Sequence, residues 1–282
     1  MAARKKRNNR RFLWLGCLGL AAVLTALLFI AASLPAPTPE LPTQITTLSP
    51  ETDPPAPTLP PNPYGLTDFQ YENNYLTCLA GESRLGIDVS NHQGDIDWTQ
   101  VSDAGMQFAM IRVGYRGYES GAIQTDEQAT VNLDGAQQAG LDAGVYFFSQ
   151  AISVAEAEEE AEFVLSFLAD RTLEMPVVFD WEYISADART GAMDAETLTQ
   201  CAKAFCEKIK SAGYEPMVYF NSDQAVTHYI LTELTDYGFW LALYNERMTF
   251  PYKVDIWQYT QEGTVPGIAT PVDIDLQFLF SD

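Results

Sequence analysis

Across residues 85–282 the apolar positions fall into short runs bounded by Gly, Pro, Asp or Ser. The runs read LGIDVS, FAMIRVGY, GVYFFSQ, PVVFDWE, PMVYFN, FWLALYN, VDIWQYT and IDLQFLF. Their length and their content of Val, Ile, Phe and Tyr predict eight strands. Helical patterns separate the early runs. DWTQVSDAG opens on a capping Asp97, EQATVNLDGAQQAG closes on Gly140, and SVAEAEEEAEFVLSFLAD starts from Ser153. DAETLTQCAKAFCEKIKSAG is capped by Asp194 and ends with Lys208, Lys210 and Gly213, and SDQAVTHYILTEL is the fifth helix. After the sixth run the connections become too short or too rich in Gly and Pro for helices. The expected fold is therefore α/β, a TIM-like (β/α)5(β)3 barrel smaller than the usual eightfold one. An open doubly wound sheet is the alternative, but no GxGxxG follows the first strand to favour it.

The N-terminal part has a different pattern. Residues 1–11 carry Arg4, Lys5, Lys6, Arg7, Arg10 and Arg11 without an acid, and residues 12–34 contain no charged side chain. An apolar run of this length, with basic residues ahead of it, predicts a transmembrane signal anchor whose C-terminal side lies across the membrane. A cleaved signal peptide is the competing reading, because AAS just before Leu34 offers small residues for cleavage. The expected location is the cell membrane, single-pass with the barrel outside the cytoplasm, or secretion if the segment is cut. Residues 35–63 are rich in Pro and Thr and predict an extended, semi-rigid linker. Residues 64–84 form a lead-in that we expect to pack beneath the barrel domain, 85–282.

The chain carries a net charge of −22, and the part beyond the basic tail is more negative still. Nucleic acid, which needs a basic surface, is not an expected partner. Outside the apolar segment the cysteines are Cys78, Cys201 and Cys206, and the last two, five apart in a helix, point in different directions. The only histidines are His92 and His228, so neither a zinc site nor a histidine relay is expected, and no cofactor. Chemistry in this chain has to come from carboxylates.

PVVFDWE ends in two of them. Alternation puts Asp180 and Glu182 on one strand face and Trp181 on the other. Asp88 stands near the end of the first strand and Asp273 enters the last. In a parallel barrel the C-terminal strand ends hold the active site, so four acids from three strands converge on one mouth. Crowded, buried carboxyls keep a proton near neutral pH. A proton donor beside an ionised neighbour is what glycoside cleavage requires.

The ordered motifs GIDVSNHQGDIDW, FAMIRVGY, AGVYFFS, FDWE, PMVYFN and WQYTQEGTVPGI…VDID resemble the family-25 glycoside hydrolases, lysozymes (N-acetylmuramidases) that cut bacterial peptidoglycan. The likeness runs from about Gly86 to the C-terminus. It implies a peptidoglycan hydrolase acting on the β-1,4 bond between N-acetylmuramic acid and N-acetylglucosamine, with glycan strands as partner and the chain a monomer. It also implies Glu182 as general acid, Asp180 assisting, and Asp88, Asp273, Tyr146 and Tyr219 as substrate-binding residues. The alternative is a non-catalytic cell-wall glycan-binding module on the same barrel. Trp240 and Trp257 read as structural, with a wall of the groove as the lesser alternative, and His92 reads as a loop residue. Two departures stand out. Phe147 replaces a histidine and should face away from its neighbours' side. Asp275 replaces an Asn, either raising the pKa of a nearby acid or facing solvent.

Overall fold

A computed structural model describes residues 58–280. The basic tail, the apolar segment 12–34 and most of the linker lie outside the described residues. Among the described residues no helix is long and apolar enough to cross a membrane.

The elements begin with a hairpin of β1 (Phe69–Glu72) and β2 (Tyr75–Cys78). Then come β3 (Glu82–Val89), α1 (Trp98–Asp103), β4 (Phe108–Arg116), a short β5 (Ile123–Thr125), α2 (Ala129–Gln138) and β6 (Asp142–Ser149). The second half holds α3 (Val154–Leu168), β7 (Val177–Trp181), α4 (Ala195–Ser211), β8 (Pro216–Asn221), α5 (Ser222–Thr227), β9 (Gly238–Ala242), β10 (Ile256–Gly263) and β11 (Val272–Leu279). All eight apolar runs are strands, and they close on themselves in the order β3-β11-β10-β9-β8-β7-β6-β4, with β4 paired back to β3. β5 extends β4 as a short antiparallel flap.

Helix starts follow the capping residues in the sequence. Asp97, Ser153 and Asp194 each accept a hydrogen bond from a first-turn amide, which satisfies a donor that has no intrahelical partner. α4 buries Leu198, Cys201, Ala202, Phe205, Cys206 and Ile209, and its two cysteines are unbridged. The fifth helix is shorter than its pattern predicts. It stops at Thr227, because the Ile230 amide bonds to Thr199 Oγ1 on α4 and Tyr229 turns into the core against Phe220.

One correction concerns strand direction. The barrel is not all parallel: β11 runs antiparallel to both β10 and β3. The connections explain why. Residues 243–255 give β9→β10 the dozen or so residues that a parallel crossover needs, whereas residues 264–271 are too few for one. The reversal carries the start of β11 to the same end as the close of β3.

A second correction concerns the lead-in, which packs beside the barrel rather than beneath it. Strands β10 and β11 have no helix over them, and their outward side chains Trp257, Tyr259 and Phe278 are apolar and buried. The β1–β2 hairpin supplies the cover. Phe69 packs on Trp257 (5.1 Å between centroids) and Phe278 (6.0 Å), and the Leu76 amide donates to Tyr259 Oη at 3.2 Å. Its turn is Asn73-Asn74, both with positive φ (50° and 74°), the backbone of a tight hairpin turn that Asn tolerates. The end of the proline-rich stretch is docked as well. The Asn62 amide donates to Pro251 O at 2.9 Å and the Lys253 amide to Pro60 O at 2.8 Å. Pro61 and Tyr252 thereby pair as an isolated antiparallel bridge, an edge contact of the kind proline can make.

Alternation sorts the strand residues into two apolar layers. Phe147, Phe179, Trp181, Phe220 and Trp257 face outward toward helices and hairpin. Phe108, Met110, Val178, Met217 and Ile256 fill the barrel interior.

Candidate active site

Above that interior plug lies a cleft of about 260 Å3 at the C-terminal strand ends. Each strand places its next inward residue there. Asp88 comes from β3, Arg112 from β4, Tyr146 and Phe148 from β6, Asp180 from β7, Tyr219 from β8, Trp240 from β9, Gln258 from β10 and Asp273 from β11. Glu182 sits one residue past the end of β7. Because β11 is reversed, Asp273 is paired directly with Asp88 across the ladder. A larger hollow, about 940 Å3, lies at the other end of the barrel around Met175, Tyr214 and Lys253. It faces the N-terminal strand ends, where no βα loops converge, so size alone does not decide the site.

The polar groups are wired together. Gln258 Nε2 donates to Asp88 Oδ2 at 2.6 Å, while its Oε1 accepts from Tyr219 Oη at 3.2 Å and Tyr244 Oη at 3.0 Å. Arg112 is the only Lys or Arg along the walls. It is already engaged, with Nε on Asp126 Oδ2 at 2.8 Å and Nη2 on Asn91 Oδ1 at 2.7 Å. Behind Glu182 the main chain is clamped: Gln150 Nε2 donates to the Glu182 carbonyl at 2.8 Å, and Gln224 Nε2 to that of Trp181 at 3.0 Å. Gln150 is itself fixed by Thr190 Oγ1 and by Arg189, which is paired with Glu156.

With five acids and one committed cation, burial dominates the electrostatics. Burial raises Asp180 well above the usual carboxylate range, the charge of Glu182 raises it further, and Arg112 partly offsets both. Asp180 Oδ1 is buried without a hydrogen-bond partner. Burial also raises Glu182, assisted by the charge of Asp273. Asp88 is pushed far up by burial and by Asp273 and Asp275, against the Gln258 hydrogen bond. Asp273 rises to about 6 and Asp275 to about 8, again chiefly by burial. The hydroxyls of Tyr146 and Tyr219 are buried and raised well above their usual value, so they remain neutral donors. All of these carboxyl shifts favour the protonated form, the direction a general acid requires. Among the described residues no group of three His, Cys, Asp or Glu is disposed to hold a metal ion.

The six residues singled out in the sequence, Asp88, Tyr146, Asp180, Glu182, Tyr219 and Asp273, all line this one cleft. Phe147 faces outward and meets Phe163, and Trp257 is a core residue whose Nε1 donates to Leu243 O. Trp240 meets both of its readings, being buried in the barrel interior and also a wall of the cleft, and its Nε1 donates to Asp275 Oδ1 at 2.8 Å. Asp275 does not face solvent; it is fully buried under the floor. His92 stands at the rim on a short 3-10 turn. Arg112, Gln258 and Tyr244 were missed. The signal for the first two was present, since each is a polar residue that follows an apolar one at the inward alternation, Met110 before Arg112 and Ile256 before Gln258.

Fold and cleft together are those of a barrel glycoside hydrolase whose cleft is lined with carboxyls. The model described as Glycosyl hydrolases family 25 matches residues 87–268, and the chain belongs to that family. It is 29% identical over 231 residues to the Escherichia coli K12 protein YegX, covering 75% of this chain and 78% of that one. Lysozyme M1 of Streptomyces globisporus is 26% identical over 200 residues, covering 67% and 65%. Among solved structures, the modular autolysin LytC of Streptococcus pneumoniae, in complex with a synthetic peptidoglycan ligand, aligns with a TM-score of 0.60 at 25% identity. That match covers 70% of this chain and 47% of LytC.

Proposed function

We propose that this protein hydrolyses the β-1,4 bond between N-acetylmuramic acid and N-acetylglucosamine in bacterial cell-wall peptidoglycan. Glu182 is the general acid that protonates the leaving oxygen. Asp180 stabilises the charge developing on the sugar or orients its acetamido group, and Asp88, Asp273, Tyr146 and Tyr219 bind and position the glycan. The observation that carries this reading is the pair at the end of β7. Glu182 is half-buried at the lip, where burial shifts it toward its protonated form, and Asp180 beneath it has an oxygen that no protein donor satisfies. Family membership and the peptidoglycan ligand bound by LytC support the substrate class.

Segment 12–34 tethers the enzyme to the membrane as a single-pass anchor, and the proline-rich stretch carries the barrel, a monomer, out toward the wall. Carbonate extraction of membranes that leaves the chain in the pellet supports the anchor, and release into the medium of a shortened form supports cleavage. For catalysis, full-length protein in mild detergent is incubated with purified peptidoglycan and new reducing ends are counted. Glu182→Gln is expected to lose nearly all release. Wall binding without release by the wild type would instead establish a glycan-binding module.

A further inference from the structure

Asp275 has no place in the chemistry above, yet it is the most completely enclosed acid of the barrel interior. Its Oδ1 accepts from Trp240 Nε1 at 2.8 Å, and its Oδ2 is buried with no N–H or O–H donor in reach. Opposite it on β3 stands Gly86, where even a methyl group would come within 2.4 Å of the Phe108 ring, so β3 offers no side chain at that level. The next inward residue of β3 is Asp88, diagonal to Asp275 on the same face of the ladder, so the two carboxyls are neighbours whose charges act on each other. Two carboxyls can hydrogen-bond only if a proton lies between them. The oxygen without a donor is therefore the one that such a proton would satisfy.

Among the described residues no positive charge relieves the pair. From β3, Arg84 is turned to Asp142 at 2.6 Å, and from β4, Arg112 is held by Asp126 and Asn91. From β10, Gln258 is paired in register with Asp275 and bonds to Asp88, but it is neutral. From β9 comes only the Trp240 ring, and the remaining neighbours are Asp273 on the same strand, Asp180 across the barrel and the hydroxyls of Tyr146, Tyr219 and Tyr244, with that of Tyr259 on the outer side of β10.

We propose that Asp275 and Asp88 hold a single proton between them under the cleft, and that Asp275 is thereby a positioning residue that fixes Asp88 and limits activity at alkaline pH. With the proton in place, Asp88 is anchored on one side by Gln258 and on the other by Asp275. Without it, two adjacent buried carboxylates repel, and the Asp88 side chain is driven from its place in the floor.

Asp275→Asn tests the idea, because the amide keeps an acceptor for Trp240 Nε1 and presents a permanent N–H toward Asp88. This proposal rests on the hydrolase reading for its kinetic arm. The reading taken is the pH at which rate falls by half on the alkaline side, independent of absolute rate. In Asp275→Asn that point is expected to move up by about one pH unit or more; superimposable wild-type and variant profiles would overturn the proposal. A second measurement does not need turnover. Infrared difference spectra of the full-length chain, with 13C-labelled aspartate, should show a protonated buried carboxyl that ionises above neutrality and is missing from Asp275→Asn. If that band is already absent in the wild type at neutral pH, the shared proton does not exist. Absence of wall hydrolysis together with the expected infrared change would sink the hydrolase reading alone.

Discussion

The inside of this barrel is divided across one strand repeat. On β7 the inward residue is Val178 and the next is Asp180; on β8 Met217 is followed by Tyr219, and on β10 Ile256 by Gln258. On β4 the step is from Met110 to Arg112, and on β3 from Gly86, filled by the Phe108 ring, to Asp88. Below the step the interior is an apolar plug interrupted by Asp275 of β11, and above it stand carboxyls, hydroxyls and amides. The two layers are not independent. The plug denies water to the acids from beneath, so burial is the first cause of every raised carboxyl in the cleft. The lower layer sets the proton affinity that the upper layer uses.

The sharpest way to separate the layers is to change one without the other. Glu182→Gln should lower hydrolysis by about 10²–10⁴-fold, the range of a lost general acid, with an unfolding midpoint unchanged or slightly higher. Reducing-end release and denaturant titration of the same preparation check both halves. Phe108→Ala attacks the plug. Phe108 is wholly buried, so its loss should cost about 3–5 kcal/mol in urea unfolding. It should also let water in under Asp88, so that the pH–rate profile shifts toward acid.

The pH dependence of stability follows from the same division. Asp273 (about 6), Asp275 (about 8) and the raised Asp88, Asp180 and Glu182 bind protons more tightly in the folded than in the unfolded chain. Folding stability should therefore fall as pH rises from about 4, near the unfolded carboxylate values, to about 8. Glu156, lowered by its bonds to Arg189 and Ile152, acts in the opposite sense and loses its contribution only as pH falls through its own depressed value. Maximum stability in mild acid is the expected outcome, read from urea midpoints across pH. Asp275→Asn should flatten the decline by about 2 kcal/mol between pH 5 and 8, less than its full shift implies because the acids share their protons.

Much of this was legible because strand alternation is a hard rule. Asp180 and Glu182 share a face by spacing alone, and Phe147 is turned away from Tyr146 by the same rule. What the pattern does not encode is direction. Nothing within VDIDLQFLF says that β11 runs backward; that follows from the length of 264–271, and it is the reversal that sets Asp273 beside Asp88. The hairpin was hidden for a different reason. Its Asn-Asn turn is a recognisable signal, but the strands are short, and their purpose is visible only once β10 and β11 are seen to lack helices. Asp275 illustrates the limit most clearly. An acid at an alternating inward position reads as solvent-facing or buried with equal ease until the plug around it is seen.

The smallest effects should come from the tyrosines above Gln258, and they test whether the upper layer is a network or a set of separate contacts. Tyr219, buried, and Tyr244, about half exposed, donate to the same Oε1 atom. Removing either hydroxyl leaves Oε1 one donor, so Tyr219→Phe and Tyr244→Phe should each cost about 0.5–1.5 kcal/mol in kcat/KM, with the buried residue at the upper end. Removing both leaves a buried acceptor without a donor and frees the amide to turn its Nε2 away from Asp88. The double variant should then lose more than the sum of the singles, by about 1 kcal/mol or more. Strict additivity in that cycle would mean that the tyrosines act on the glycan directly, and that Gln258 holds Asp88 without their help.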